Sequence, residues 1–113
     1  MKLALTVPLS VLFLATGAQA HPPKAVAATY DRSARQLAIT VTHGVSDLKA
    51  HYIDVITVEV DGKEVQKLTL KEQSSLEAHQ ARVDVGDLKP GTRILIKASC
   101  NKFGSKKATL TVE

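Results

Sequence analysis

Among 113 residues there is one cysteine, one methionine and no tryptophan, and the aromatic carbocycles are two tyrosines and two phenylalanines. A single cysteine cannot form a disulfide within the chain, so no bridge framework can replace a packed core. So few aromatics, with Lys106-Lys107 the only basic pair, exclude the interleaved basic and aromatic surface on which nucleic acid stacks. No serine–histidine–acid arrangement, phosphate-cradling loop or paired-carboxylate motif is present, so hydrolase chemistry finds no support. A long hydrophobic run is lacking too. The apolar stretch at 3–14 is interrupted by Thr6, Pro8 and Ser10 and falls short of the roughly 20 residues a spanning helix needs.

That stretch follows Lys2 and leads to Ala18-Gln19-Ala20, the small-x-small pattern that signal peptidase accepts. The expectation is a cleavable signal peptide over 1–20, with its short core arguing against an uncleaved anchor. No cysteine lies near the cut, which argues against a lipid anchor. The mature chain then begins at His21, is periplasmic or secreted, and has no membrane contact after processing. Its 93 residues, 21–113, suffice for one modest domain and not for two. Removing Lys2 from the 15 Lys and Arg leaves 14 against 11 Asp and Glu, about +3 in all. These charges are dispersed, as on an ordinary solvated surface.

Alternation of period two dominates this domain. Strands are expected at 24–30, 36–43, 51–60, 64–70, 81–85, 93–100 and 107–112. Leu37, Ile39, Val41 and His43 share one face of the second, and Ile94, Ile96, Ala98 and Cys100 share one face of the sixth. Within 51–60 the apolar parity switches between Val55 and Ile56, the mark of a bulge or of burial on both faces. Asp61-Gly62 is a hairpin signal, because both residues tolerate positive φ. The segments 44–50 and 72–80 read as polar loops, with Leu76 turned inward and His79 solvated. Seven short strands and no helix predict an all-β, immunoglobulin-like β-sandwich.

Three residues capable of chemistry fall at strand ends, where a rigid sandwich presents its sites. His43 closes one strand on its apolar face, His51 opens the next, and Cys100 closes the sixth on its apolar face. A loop joining antiparallel neighbours brings His43 and His51 together, and Cys100 joins them if its strand ends at the same edge. Two imidazoles and a thiolate suit iron, copper or zinc rather than calcium or magnesium. Taken alone, Cys100 could equally be a small buried hydrophobe or one half of an intermolecular disulfide, and the histidines exposed loop residues.

The stretch from His43 through His51-Tyr52-Ile53, then Asp61-Gly62-Lys63, Leu88-Lys89-Pro90-Gly91 and Cys100-Asn101-Lys102-Phe103-Gly104, resembles the ferrous-iron domain of superoxide reductases. That family includes neelaredoxin and the second domain of desulfoferrodoxin. The resemblance covers about His43 to Gly104 in the family's order, and implies an immunoglobulin-like fold. It also implies an iron ion (Fe2+/Fe3+) held by four planar histidines and an axial cysteine thiolate. That site reduces superoxide by one electron, the electron coming from a separate donor. Carried over, His43 and His51 match planar histidines, Cys100 the axial thiolate, and Asn101 the residue whose backbone N–H bonds the sulfur.

Three departures accompany the match. The loop from His43 to His51 is two residues longer than the family's spacing. Phe103 stands where the family's last histidine would be, and the segment bearing the first histidine and a catalytic lysine is absent. Lys24 or Lys49 could supply the missing positive charge. His21, exposed by cleavage as an imidazole and a free α-amine, could supply the missing nitrogens. The expected metal ligands are therefore His21, His43, His51 and Cys100. Besides an iron protein of superoxide-reductase type, the residues admit a copper protein using the N-terminal histidine, or a non-enzymatic interaction module. Intact mass of the exported protein should place its first residues at His21-Pro22-Pro23. A different start would remove the amine from the ligand set and leave the other three ligands in place.

Overall fold

The alternating segments all become strands. The computed structural model describes residues 21–113, so the signal-peptide reading of 1–20 lies outside the described residues. In chain order the elements are β1 (Ala25–Asp31), β2 (Gln36–Thr42), β3 (Ile53–Val60), β4 (Lys63–Thr69), β5 (Ala78–Asp84), β6 (Arg93–Cys100) and β7 (Ser105–Thr111). There is no helix among the described residues. Two antiparallel sheets form, one of order β1-β2-β5 and one of order β4-β3-β6-β7. Packed face to face, they make the all-β sandwich of immunoglobulin-like type.

The inward residues of β2, β3 and β6 fill the space between the sheets. Leu37, Val41, Ile53, Ile56, Ile94 and Ile96 reach 0% exposure, each such burial being worth about 1.5–3 kcal/mol. The parity switch in β3 is a bulge: Ile53 and Ile56 both face inward, and the register against β6 shifts between Ile53 and Val55. Asp61 (φ 47°) and Gly62 (φ 86°) form the tight turn between β3 and β4. A two-residue turn cannot cross the roughly 10 Å between packed sheets. The fourth strand therefore stays beside β3, whereas in a constant-type immunoglobulin domain it joins the first sheet. Tyr30 Oη donates to Gly86 O at 2.7 Å and accepts from Leu88 N–H at 3.0 Å, pinning the β5–β6 connection to β1.

The segment 72–80 departs from the sequence reading. β5 begins at Ala78 rather than at 81, and His79 pairs with Val41 in β2. Val41 faces the core, so His79 does too, at 8% exposure, with Ala81 and Val83 following on the same face. The solvated reading of His79 is thus corrected: its register opposite Val41 turns it inward although the segment around it is polar. Its Nδ1 accepts from Ser74 N–H at 3.1 Å, and burial pushes its pKa below the ordinary 6.5. Leu76, expected inside, is 47% exposed.

The neutral His79 ring sets a pH dependence. Below about 6.5 the unfolded chain binds a proton that the folded chain still refuses, so this stability is complete above that pH and is lost as pH falls from there through the depressed pKa of the folded chain. Denaturant midpoints of the metal-free protein at about pH 7.5 and about pH 5 should fall further apart in wild type than in His79→Gln, which keeps an acceptor for Ser74 but cannot titrate. Equal separations would mean that protonation of His79 carries none of the acid sensitivity.

Candidate metal centre

His43 leaves the end of β2 still on its inward face, at 0% exposure. Its backbone N–H donates to Glu77 O at 2.9 Å. On the ring, Nδ1 lies 2.7 Å from Gln73 Oε1. Gln73 is itself 1% exposed; its Nε2 donates to His43 O at 2.6 Å and Ser75 O at 2.9 Å, and its Oε1 also accepts from Ile53 N–H at 3.2 Å. The opposite ring nitrogen, His43 Nε2, is buried with no partner among the described residues. Burying a polar atom without a partner costs about 1–3 kcal/mol, so such atoms are uncommon and call for a physical reason.

His51 is delivered to the same place by a turn at Asp47. Asp47 Oδ1 accepts from Lys49 N–H, and its carbonyl accepts from the N–H groups of Ala50 and His51. The long 44–50 loop is also stitched to the 72–77 segment, through Val45 N–H to Leu76 O and Gln73 N–H to Leu48 O. β2 and β3 lie in different sheets rather than pairing, so it is this loop that closes the gap between His43 and His51. Cys100 arrives at the end of β6 opposite Ile53, facing inward at 8% exposure, as the only cysteine.

His51 Nε2 and Cys100 Sγ are 3.2 Å apart, and one ligand atom from each of His43, His51 and Cys100 fits within 4.8 Å of the others. Nitrogen and sulfur bound to one zinc-sized ion at about 2.05 and 2.3 Å lie about 3.1–3.6 Å apart for angles between square and tetrahedral. The pair therefore already stands at a coordination spacing. Desolvation, and after it the charges of His43, His21 and Lys102, lower the pKa of His51 from 6.5. The ring is thus neutral near pH 7, which is the ligating form.

His21 packs against both. Its ring centroid is 5.4 Å from that of His43 and 5.4 Å from that of His51, which are 4.8 Å from each other. Imidazoles sharing one ion through bonds of about 2.0–2.1 Å have centroids about 4.5–5.5 Å apart. His21 remains exposed, with Nδ1 3.2 Å from Pro22 O. Pro22 fixes the approach: it seats on Gly104 (φ 80°), where a methyl group would stand 2.7 Å from Pro22 Cβ. Phe103, just before, is 62% exposed. Lys24 shares an open cleft with His21, His51 and Leu76, while Lys49 lies on the exposed Asp47 turn.

The hydrogen bonding of the sulfur differs from the expectation. Asn101 N–H donates to Tyr52 O at 3.0 Å, and Lys102 N–H donates to Cys100 Sγ at 3.3 Å. Asn101 acts through its side chain instead, accepting from Tyr52 N–H at 2.9 Å and donating to Ala50 O at 3.2 Å, which ties the Cys100 turn to the base of His51. Gln73 went unrecognised in the sequence, since one glutamine in a polar segment carries no periodic signal. Lys102 was missed as a charge beside His51, although it stands only two residues from Cys100.

No family model matches the chain, and neither a curated protein nor a solved structure matches it. The fold and site together define an all-β sandwich with a cluster of histidine and cysteine that could hold a metal ion. The Pro22–Gly104 contact gives a test of the His21 approach. Gly104→Ala should lower stability by about 1–2 kcal/mol through its left-handed φ and also weaken metal binding by displacing Pro22 and His21. Gly62→Ala, with φ 86° but open space around it, should cost stability alone. Equal metal affinity in the two variants would show that the Pro22 seat does not position a ligand.

Proposed function

We propose that the chain is an exported mononuclear iron protein of superoxide-reductase kind, with His21, His43, His51 and Cys100 as its ligands. One observation carries the metal reading: His43 Nε2 is buried, has no partner, and belongs to a ring clustered with His51 and Cys100. A lone pair withdrawn from water at a cost, with its ring held from the other side, fits a ligand better than a core filler. The choice of iron and of superoxide is supported by the resemblance running from His43 to Gly104. A ferrous ion bound there supplies the one electron that, with two protons, converts superoxide to hydrogen peroxide, and a separate donor must then restore it.

The chain's own groups have definable parts in that reaction. Neutral His51 offers its nitrogen without strong competition from protons, and Cys100 adds a sulfur donor that gives up its proton on binding the ion. Lys102 N–H on the sulfur withdraws some of its charge and tempers its donation. Lys24 in the cleft and Lys102 beside His51 draw a small anion toward the site. Exposed Phe103 contributes no nitrogen, so the His21 imidazole, and its amine once cleavage frees it, complete the set.

A second reading is favoured by the donor count. His43, His51 and Cys100 alone make the two-imidazole, one-thiolate set of mononuclear copper sites, and copper binds such donors more tightly than iron. Anaerobic titration of the mature protein with ferrous iron and with copper should show about one ion per chain. The oxidised iron form should carry a visible sulfur-to-metal band that Cys100→Ala abolishes, and should be regenerated by superoxide from the ferrous form. Binding of copper alone would select the second reading. Binding of neither metal would leave a non-enzymatic interaction module.

A further inference from the structure

Gln73 belongs to no expected ligand set, yet it is the most completely bonded polar side chain around the cluster. Its amide has two lone pairs and two N–H donors. Oε1 receives His43 Nδ1 at 2.7 Å and Ile53 N–H at 3.2 Å; Nε2 gives to the carbonyls of His43 and Ser75 at 2.6 and 2.9 Å. Oxygen and nitrogen of an amide are often interchangeable on geometry alone. Here they are not. Reversing the amide would set its N–H groups against Ile53 N–H and its oxygen against two carbonyl oxygens, losing three bonds at a buried position. The oxygen must face His43, and an oxygen with only lone pairs requires a proton on His43 Nδ1.

We infer that Gln73 is the positioning residue of this centre: it fixes His43 as the Nδ1–H tautomer and leaves Nε2 bare toward His51 and Cys100. In this tautomer the buried, unpartnered Nε2 is a lone pair rather than an N–H, the form that can accept a ligand. Gln73 is in turn held on both sides. Its own N–H donates to Leu48 O in the loop leading to His51, and the next residue, Ser74, donates its N–H to His79 Nδ1 in β5. One side chain thus fixes the tautomer of His43, while its backbone ties the loop that delivers His51. Being a neutral amide, it also leaves the imidazole less electron-rich than a carboxylate in the same place would.

The tautomer is independent of metal and can be read without it; only the step from a bare Nε2 to a ligating one rests on the metal reading above. Nitrogen-15 shifts of the histidine rings in the metal-free mature protein should show His43 protonated at Nδ1 and unprotonated at Nε2. Gln73→Leu should populate the Nε2–H form and weaken ferrous-iron binding about 10–100-fold, the usual cost of losing such an outer partner. Gln73→Glu keeps the acceptor for His43 Nδ1 but sets its second oxygen against the carbonyls of His43 and Ser75. It should lose stability yet retain the Nδ1–H tautomer in a stronger hydrogen bond, hold iron better than Gln73→Leu does, and shift the reduction potential downward. Should neither variant fold, the nitrogen-15 shifts of the wild type decide alone. An unmoved Nδ1 proton in Gln73→Glu, Nε2–H in the wild type, or a tautomer unchanged in Gln73→Leu overturns the inference. Equal loss of iron in Leu and Glu variants also overturns it, since that marks Gln73 as a structural plug. If the tautomers behave as expected while the wild type takes up no iron, the positioning role stands and the metal reading falls.

Discussion

The hydrogen bond between His43 Nδ1 and Gln73 Oε1 is shielded from water, and the end of the sandwich is arranged around it. Without it, a buried imidazole would be free to turn and to exchange protons between its nitrogens, and the loops on either side would lose a common anchor. With it, β2 is joined to the 72–77 segment, that segment to the 44–50 loop, and the first backbone amide of β3 to the same glutamine oxygen. Three pieces of chain, the end of β2, the start of β3 and the 72–77 segment, share one acceptor and one donor group. In a low-dielectric pocket such a network is strong only when every member is satisfied. The one member left over, His43 Nε2, is the one that can take a ligand.

Much of this was legible from the order of residue types. Alternation in 36–43 and 93–100 placed His43 and Cys100 on inward faces because a strand's side chains have a strict period of two. The parity switch at Val55-Ile56 anticipated the β3 bulge, and Asp61-Gly62 the hairpin, since each leaves a local mark. Nothing local marks Gln73. Its role comes from three tertiary partners, and its neighbours Glu72, Ser74 and Ser75 read as any exposed loop would. His79 was obscured for a related reason. Among Glu77, Gln80 and Arg82 its inward position is carried only by Ala81 and Val83, too short a run to outweigh a polar-looking histidine. Asn101 and Lys102 exchanged roles because the amide that meets the sulfur depends on how the turn after β6 folds, which spacing alone does not fix.

On the proposed reading, that turn is also where the chain departs from the superoxide-reductase ligand pattern, and the departure is structurally coherent. Phe103 points to solvent, Gly104 accepts the close approach of Pro22, and Pro22 carries His21 to the rings of His43 and His51. The same few residues that lack a nitrogen on one side of the cluster make room for one on the other. On the proposed reading, a ligand has moved from the β6–β7 turn to the start of the mature chain.

The cluster's location across the sandwich has a mechanical consequence. His43 ends the central strand of one sheet and Cys100 ends a central strand of the other. These are the second and sixth strands, the pair that antibody domains join by their inter-sheet disulfide. An ion held by both residues would staple the sheets at the corresponding position, using one sulfur where a disulfide uses two. Such a staple opens by dissociation rather than by reduction. The fold's cohesion would then follow the free concentration of the metal, rising by about 2.7 kcal/mol at a hundredfold excess over Kd, and a chelator would act on this domain as a thiol reductant acts on its disulfide-linked counterparts.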